Sequence, residues 1–292
     1  MPYLYHTVRE EESGQSVKAL LLRNFSLSSS LLARLKRQPR GILLNDTAVR
    51  VSAPAYAGDV LAFSIADEPA EQSLCPVDIK LNMVYEDEYL LILDKPAGIP
   101  VLPPSLGEKL PCIASAYAFY YPHLRFHALN RLDKGTSGLM LIAKYGYIHE
   151  RLQADLHNDM VRSYLGIAVG TVQPPSGRID RPIARAAGSA ICRCISSEGK
   201  PAVTDYETVK TVSSFTLLHL IPRTGRTHQL RLHLSSIGYP LAGDHLYGKE
   251  DKALISRPAL HSCSLAFTHP VTGERLSFAS ALPEDMERLI GE

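Results

Sequence analysis

The stretch that decides the fold runs from Asn130 to Lys144 and reads NRLDKGTSGLMLIAK. Its first half is a turn of charged and small residues, and its second half is an apolar run of the length of a buried strand. Gly135 and Gly138 permit tight backbone paths, and the hydroxyls of Thr136 and Ser137 can bond the loop's own amides. The sequence therefore predicts a rigid loop that leads directly into a buried strand.

One carboxylate, that of Asp133, lies inside this loop. A rigid loop at the mouth of a sheet is a place where catalytic groups often lie, because the scaffold holds the side chain in position. The simpler interpretation is a turn that Asp133 stabilises and that has no other role. On composition alone the simpler interpretation is preferred.

A second stretch, RTGRTHQLR at 223–231, changes that preference, because it holds three arginines and a histidine and no acid. It follows a predicted strand and begins a predicted helix. Amides at a helix start, together with Arg223 and Arg226, suit a phosphate group. Arg231 follows Leu230 on the buried helix face, from where its guanidinium can reach a carboxylate. An aspartate beside such an arginine stays ionised, which suits a nucleophile or a base.

The rest of the C-terminal two thirds alternates strands and helices without a repeat. Period and composition predict helices over 149–160 and 228–238, and strands over 89–93, 139–143, 164–169, 202–209, 216–221 and 276–280. Strands outnumber helices and do not alternate strictly with them, so the predicted fold class is α+β with a mixed, mostly antiparallel sheet. No glycine-rich nucleotide loop follows a strand, which disfavours a nucleotide cofactor.

The N-terminal segment, residues 1–66, is predicted to be a separate small α/β module, followed by a polar linker over 67–80 and a catalytic domain over 81–292. Two short helices are predicted, at 16–25 and 28–37, ahead of short strands. Residues 17–50 contain seven basic side chains and one acid, a local charge of +6. Arg34, Lys36 and Arg37 lie close enough along the chain to form a patch that binds phosphate, although a solvated helix face has the same composition.

Composition limits the classes of protein that remain. The 292 residues carry 31 Lys and Arg against 30 Asp and Glu, so any contact with nucleic acid depends on local clusters of basic residues. No apolar run is long enough for a membrane helix or a signal peptide. Five scattered cysteines indicate no disulfide framework and suit a reducing compartment, and they predict no zinc site. We therefore expect a cytoplasmic protein that needs no metal.

Together these stretches resemble the RluA family of RNA pseudouridine synthases. The motifs are RLDKGTSGLMLIAK and RTGRTHQLRLHLSSIGYPLAGDHLYG, supported by VYEDEYLLILDKPAGIPVLP at 84–103, VRSY at 161–164 and LAFTHPVTGERLSFASALPEDM at 265–286. The resemblance covers residues 80–290, in the family's order. The first segment resembles, more weakly, the alpha-L RNA-binding motif that often precedes this catalytic domain.

The resemblance implies a role for each residue that matches a motif. Asp133 would be the catalytic aspartate, and Arg231 would pair with it and hold it ionised. Tyr164 would stack on the uracil ring near the reacting groups, and Leu230 would pack beneath the base. Arg131 would enter the space that the flipped nucleotide leaves.

Two positions depart from the family's pattern. Asn130 stands where the family often has histidine, and we expect altered RNA contacts with intact chemistry. Arg162 replaces a common lysine and keeps the charge. His228 is placed with the RNA-contact residues, although polar contacts within the protein are the simpler explanation for it. Tyr247, in the GDHLYG sequence, is expected to support the loop of the active site.

The implied reaction converts uridine to pseudouridine on a base that has left the helical stack, without metal or cofactor. Neither the stretch at 130–144 nor that at 223–231 contains a second acid beside Asp133, which disfavours a nucleoside or glycoside hydrolase, since those enzymes usually use two carboxylates. An RNA-binding protein without catalysis on the same scaffold is a further alternative. We expect the partner to be ribosomal RNA first and transfer RNA second, and the protein to be a monomer.

Overall fold

The computed structural model describes residues 2–68, 74–103, 111–155, 159–248 and 255–291. The chain divides into two compact units. The first comprises Met1–Ala70 together with Tyr145–Ile148, and the second comprises Glu71–Lys144 together with His149–Glu292. Each unit is described on its own below.

The first unit is a four-stranded antiparallel sheet with two helices. In chain order its elements are β1 (Tyr3–Thr7), a 3-10 turn (Glu10–Glu12), α1 (Val17–Phe25), α2 (Ser29–Arg37), β2 (Ile42–Leu44), β3 (Thr47–Ala48) and β4 (Val60–Ser64). The strand order in the sheet is β1-β4-β2-β3. Asn45 and Asp46 both adopt positive φ between β2 and β3, as a tight hairpin turn requires.

Both helices begin where a serine caps them. The Ser16 hydroxyl accepts a hydrogen bond from the Ala19 amide, and the Ser28 hydroxyl accepts one from the Leu31 amide. Each helix then buries one apolar face; the buried residues are Val17, Leu20 and Leu21 in α1 and Leu31, Leu32 and Leu35 in α2. These contacts confirm both predicted helices.

A buried polar cluster joins three segments of the first unit. The Glu12 carboxylate accepts hydrogen bonds from the Arg9 amide and the Asn24 side chain, and lies 2.6 Å from the His6 imidazole. The Arg9 amide above all, with the side chains of His6 and Asn24, lowers the pKa of Glu12 to about 2 despite its burial. The cluster therefore links β1, the 3-10 turn and α1 through one ionised carboxylate.

The second unit carries the large sheet. Its strands are β5 (Met83–Glu86), β6 (Leu90–Lys95), β7 (His127–Ala128), β8 (Ser137–Ala143), β9 (Val161–Val169), β10 (Ser176–Asp180), β11 (Ile183–Arg185), β12 (Arg193–Ile195), β13 (Val203–Val212), β14 (Phe215–Pro222), β15 (Leu260–Thr268) and β16 (Arg275–Ala279). Its helices are α3 (Ile113–Tyr120), α5 (Gln229–Ser236) and α6 (Glu284–Ile290), and α4 (Gly146–Ala154) begins in the segment grouped with the first unit.

The large sheet has the order β10-β13-β14-β9-β15-β8-β6-β5, with β16 on β15 and β7 on β8. Within the described residues, the pairing of β15 with β8 is parallel and the other pairings of this sheet are antiparallel. This confirms the predicted α+β class with a mixed, mostly antiparallel sheet. Because β15 lies between β9 and β8, Tyr164 on β9 and the loop before β8 face the same part of the molecule.

The burial of each element decides whether its sequence pattern reveals it. All seven residues of β8 are buried, and the six predicted strands of this unit are all present. Helix α3 was not predicted, because six of its eight residues are buried and it shows no helical alternation of polar and apolar residues. Helix α5 is shorter than predicted, since His228 caps it in the left-handed conformation.

Two predicted segments lie partly outside the described residues. Residues 156–158 belong to the helix predicted over 149–160, and residues 69–73 belong to the linker predicted over 67–80. Within that linker the Val77 amide donates to the Ser115 carbonyl, and Ile79 packs against the core of the second unit. The C-terminal part of the predicted linker therefore lies in contact with the second unit.

Candidate active site

A cavity of about 670 Å³ opens in the second unit between the loop that precedes β8, strand β9 and the start of α5. Seven of the residues to which the sequence analysis assigned a catalytic or RNA-binding role line it, as do Asn130 and Arg162. The seven are Arg131, Asp133, Tyr164, Arg226, His228, Leu230 and Arg231. The folded chain thus brings together the two stretches that the sequence singles out, which lie about 90 residues apart.

The Asp133 side chain is 26% exposed at the cavity, and its loop is closed by a turn in which the Thr136 amide donates to the Asp133 carbonyl at 3.0 Å. The next carbonyl, that of Lys134, accepts a hydrogen bond of 2.8 Å from the Gly98 amide. The backbone on both sides of the carboxylate is therefore fixed by main-chain contacts.

The Lys95 side chain is fully buried beneath this loop. Its ammonium donates to the carbonyls of Pro96 at 2.8 Å and Ile99 at 2.9 Å, and lies 3.4 Å from the carbonyl of Lys134. Burial, with the nearby Arg257, lowers the pKa of Lys95 to about 8. Lys95 thus holds the loop that carries Asp133 against the turn after β6.

Arg257 holds the other side of the same loop. Its Nη1 donates to the Gly135 carbonyl at 3.2 Å, and its Nε and Nη2 each donate to the Asp285 carboxylate at 2.7 Å. Asp285 lies in α6, so one guanidinium connects the last helix to the loop of Asp133. Neither Arg257 nor Lys95 was singled out in the sequence, where isolated basic residues indicate a solvated surface.

The end of the loop differs in one detail from the expectation. Gly138 has a φ of +106°, and a Cβ atom there would lie 2.2 Å from the Ser262 carbonyl oxygen, so only glycine fits. The Ser137 hydroxyl does not bond the loop's amides but lies 2.9 Å from Nδ1 of the buried His261. Strand β15, which carries His261 and Ser262, therefore contributes to fixing the loop.

Arg231 bridges two carboxylates. Its Nη1 lies 3.4 Å from Oδ2 of Asp133, as the resemblance implies. The shorter contacts are with Asp244, whose two oxygens accept from Nε and Nη2 at 2.7 Å each. Arg231 therefore contacts Asp133 as expected, but its shortest hydrogen bonds are with Asp244, a partner that the sequence did not indicate.

A second acid, Asp244, lies next to the site, although neither the stretch at 130–144 nor that at 223–231 contains it. Asp244 is completely buried and is separated from Asp133 by one guanidinium. It accepts hydrogen bonds from Arg231 and from the amides of Leu246 and Tyr247, and it does not line the cavity. Asp244 therefore has no access to a substrate. The sequence feature that could have identified it is its place in the GDHLYG stretch.

Tyr164 and Leu230 form the apolar side of the cavity, and both belong to the main core. Burial raises the pKa of the Tyr164 hydroxyl, which the charge of Arg162 opposes. Asn130 also lines the cavity, but its amide is bonded to strand β8: Nδ2 donates to the Leu139 carbonyl and Oδ1 accepts from the Leu141 amide. Asn130 therefore ties the loop to β8, and the expectation that it alters RNA contacts stays a prediction.

His228 lies at the cavity with its Nε2 3.9 Å from Asp133 Oδ2. Its Nδ1 is 2.9 Å from the Tyr247 hydroxyl, which in turn accepts from the Arg193 amide. Tyr247 also lies under Arg231, with 5.3 Å between the guanidinium carbon and the ring centre. Tyr247 thus supports both His228 and Arg231, as the sequence predicted.

Burial lowers the pKa of His228. The positive charges of Arg231 and Arg193 lower it further, whereas the carboxylates of Asp133 and Asp244 raise it. The net direction is downward, so the imidazole is neutral at pH 7.

Gln229 holds the arginine-rich loop in place. Its Oε1 accepts from the Thr224 hydroxyl at 2.7 Å and the Arg226 amide at 3.0 Å. Its Nε2 donates to the Val203 carbonyl at 2.9 Å and the Thr204 hydroxyl at 3.1 Å. The buried amide therefore joins the loop to strand β13, a role that the sequence does not reveal.

Arg223 and Arg226 do not form the joint phosphate site that the sequence suggested. Arg226 lines the cavity, with its Nε donating to the Pro201 carbonyl at 3.0 Å. Arg223 is not among the residues that line the cavity, and its Nε donates to Asp205 at 2.7 Å on the exposed side of the sheet. Both arginines follow the end of β14, and the loop directs their side chains to different partners.

The three basic residues Arg34, Lys36 and Arg37 lie in the last turn of α2 in the first unit. Lys36 and Arg37 are exposed, whereas Arg34 is half-buried with its Nη1 3.9 Å from Asp67. The patch therefore exposes the charges of Lys36 and Arg37 fully and that of Arg34 only in part.

Within the ranges that the structure describes, no three His, Cys, Asp or Glu side chains meet in a way that would hold a metal ion. None of the helices in those ranges has the length and apolar composition needed to cross a membrane.

Comparison with known proteins gives one consistent result. The sequence model of the RNA pseudouridylate synthase family matches residues 89–236. An uncharacterized RNA pseudouridine synthase of Bacillus subtilis is 34% identical over 90% of this chain and 94% of its own length. Ribosomal large subunit pseudouridine synthase D of Yersinia pestis is 32% identical over 97% of this chain and 92% of its own. The structure of human RNA pseudouridylate synthase domain containing 1 covers 69% of this chain and 83% of its own, at 25% identity and a TM-score of 0.57.

Proposed function

Since this chain belongs to the RNA pseudouridine synthase family, we propose that it isomerises specific uridines in large-subunit ribosomal RNA, using Asp133 on a base flipped out of the helix. Several relatives that match nearly the whole chain are named as ribosomal large subunit pseudouridine synthases, which supports this RNA as the first choice. Transfer RNA is the second choice.

The observation that carries the proposal is the position of Asp133 at the cavity. Its Oδ2 lies 3.4 Å from Arg231, and within the described residues its Oδ1 accepts no hydrogen bond. A carboxylate held at one oxygen and open at the other is suited to a substrate. Asp244, the other acid of the site, is fully occupied and buried, so a mechanism with two exposed carboxylates has no support here.

The proposed reaction is an isomerisation that loses no atoms. The bond between C1′ and N1 of uridine breaks, the uracil rotates within the cavity, and a bond forms between C1′ and C5. The proton of C5 leaves and N1 gains one, so the composition is unchanged. Asp133 serves either as the nucleophile at the sugar or ring, or as the base at the 2′ position.

The base is proposed to lie between Tyr164 and Leu230. Both side chains belong to the packed core and line the cavity, so they present a fixed surface to a ring. Stacking on Tyr164 would contribute about 1–3 kcal/mol, which offsets part of the cost of flipping the base. Arg131, exposed at the edge of the cavity, would occupy the space that the base leaves.

The first unit is proposed to bind RNA through the basic turn of α2. The salt slope is the dependence of the logarithm of the RNA-binding constant on the logarithm of the salt concentration. Replacing Arg34, Lys36 and Arg37 together with alanine should lower the magnitude of this slope by about 2. Each lost phosphate contact removes about 0.7–0.9, and Arg34 contributes less because it is partly buried. The control is Arg9→Ala, an exposed arginine of the same unit beside Glu11. An unchanged slope in the triple variant would reject this role.

The test of catalysis is pseudouridine mapping of total RNA from cells with and without the gene, complemented by wild type, Asp133→Asn or Asp180→Asn. Asp180 is an exposed carboxylate on β10, so its variant controls for the loss of one charge. We expect a uridine that is modified by the wild type and by Asp180→Asn, and not by Asp133→Asn.

The same proteins are then assayed on transcribed ribosomal RNA and transfer RNA. Product formed with Asp133→Asn would contradict the assignment of this carboxylate. RNA binding without product in the wild type would favour the RNA-binding protein, and release of free uracil would favour the hydrolase.

A further inference from the structure

Arg162 is a buried cation at the cavity wall. It lies on β9 two residues before Tyr164, lines the cavity, and is only 9% exposed. Its Nε is buried and has no hydrogen-bond partner among the described residues. No carboxylate of the described chain lies within 4.0 Å of its guanidinium.

The other buried cations of the second unit differ from Arg162, because each has oxygen partners. Lys95 contacts three carbonyls, Lys144 lies 2.7 Å from Glu86, Arg231 is held by Asp244, and Arg257 is held by Asp285. An arginine stays charged when buried, and an uncompensated buried charge is unfavourable. The guanidinium of Arg162 thus faces the cavity without a carboxylate among the described residues, an arrangement that suits the binding of an anion.

Resting on the proposed function, we propose that Arg162 binds a backbone phosphate of the RNA next to the target uridine. Residues two apart on a strand share a face and lie about 7 Å from each other, so Arg162 and Tyr164 point into the same cavity. A base against Tyr164 brings its own sugar and phosphate toward Arg162. A uracil carbonyl is neutral and would leave the guanidinium uncompensated, whereas a phosphodiester neutralises it and accepts two parallel hydrogen bonds.

Gly225 leaves room for this phosphate. A Cβ built on Gly225 meets one atom within 4 Å, Nη1 of Arg162 at 3.9 Å, so the space in front of the guanidinium is open. Gly225 does not have a positive φ, and a side chain at this position is therefore compatible with the backbone. The geometry allows a carboxylate to be placed beside Arg162 without disturbing the fold.

The first experiment measures thermal unfolding of the full chain in phosphate and in chloride at equal ionic strength. We expect phosphate to raise the Tm of the wild type by about 3 °C, since a ligand of the folded state stabilises it by mass action. Arg162→Gln should lose this response, whereas Arg178→Gln, at an exposed arginine paired with Asp205, should keep it. A response that is absent in the wild type, or equal in Arg162→Gln, overturns the proposal.

Gly225→Asp tests the same site without removing the arginine. Its carboxylate would supply the missing anion, so we expect a higher Tm in chloride and no further rise in phosphate. A variant that folds and still responds to phosphate as the wild type does would contradict the site.

RNA-binding measurements separate the proposed phosphate site at Arg162 from the proposed reaction. In an Asp133→Asn background, which prevents turnover, Arg162→Gln should lower the salt slope of binding to a ribosomal RNA hairpin by about 0.9, and Arg162→Lys should keep it. If the wild type forms pseudouridine and Arg162→Gln changes neither the slope nor the phosphate response, this inference alone fails. If no RNA yields product and the phosphate response still depends on Arg162, the proposed reaction alone fails.

Discussion

Asp244 binds Arg231 through two hydrogen bonds of 2.7 Å, which leaves only Nη1 of the guanidinium to face Asp133, at 3.4 Å. The direction of the guanidinium is therefore set by a residue that does not touch the cavity. Tyr247 supports the same group from below through its ring. Asp244 is thus a positioning residue for the carboxylate of Asp133.

Replacing Asp244 with asparagine is expected to impair both stability and catalysis. Removing one partner of a buried ion pair costs about 3–5 kcal/mol of the free energy of unfolding. The freed guanidinium would turn toward Asp133 and displace it, and a misplacement of about 1 Å can lower the rate about 100-fold. Denaturant unfolding and single-turnover rates on unmodified, transcribed RNA measure the two effects.

Asp205→Asn is the matched control for that variant, because Asp205 is also paired with arginine, in its case with two. Those partners, Arg178 and Arg223, are 61% and 55% exposed, so the expected loss is below about 1 kcal/mol with an unchanged rate. Equal losses in the two variants would show that the burial of Asp244 does not matter.

The fall in stability and in reaction rate at acid pH is expected to depend on His228. Its pKa is lowered in the folded protein, so the unfolded chain binds this proton more readily, and stability is lost as pH falls from about 6.5 through the lowered value. Protonated His228 would also attract the Asp133 carboxylate, 3.9 Å away. His228→Gln should therefore remove part of the fall in rate and stability below pH 6.5. Superimposable profiles for the two proteins would refute this.

Gln229→Ala is expected to lower the free energy of unfolding by about 1–3 kcal/mol, because buried donors and acceptors lose their partners. The loop that includes Arg226 loses its connection to β13, so KM for RNA should rise more than kcat falls. Gln153→Ala, at an exposed glutamine on the cavity rim, should change stability by less than about 0.5 kcal/mol. Calorimetry and steady-state rates test both.

Acid should loosen the first unit through Glu12. The pKa of Glu12 is lowered to about 2, so the stability it contributes is present above about pH 4.5 and lost as pH falls toward 2. Between these values, hydrogen exchange in peptides covering residues 3–25 should accelerate more in the wild type than in Glu12→Gln, which lacks the titrating group. The variant should already exchange faster at pH 7.

The sequence alone predicts the fold class, six strands of the second unit and residues that meet at the cavity. These features are predictable because long motifs combine a polar loop with a strand or a helix. Asp133 and Arg231 are found in this way, since each lies where a strand or helix begins. Helix α3 is not found, because an element buried on nearly every side has no period.

The partners that fix the site are also not found. Lys95, Asp244 and Arg257 look like ordinary surface charges in the sequence, and only the folded chain shows that they are buried. The same holds for Asn130, whose amide bonds β8 although its position suggested an RNA contact. Burial of single polar residues depends on contacts between distant segments, which no local pattern encodes.

The link through Arg257 has a consequence for the motions of the loop that carries Asp133. Gly135 and Asp285 bind the same guanidinium, so one side chain holds both the loop and α6. Local opening of the two segments is therefore expected to be one cooperative event. Opening of the loop that carries Asp133 would then cost the free energy needed to release α6. The last helix would therefore set how often this loop opens.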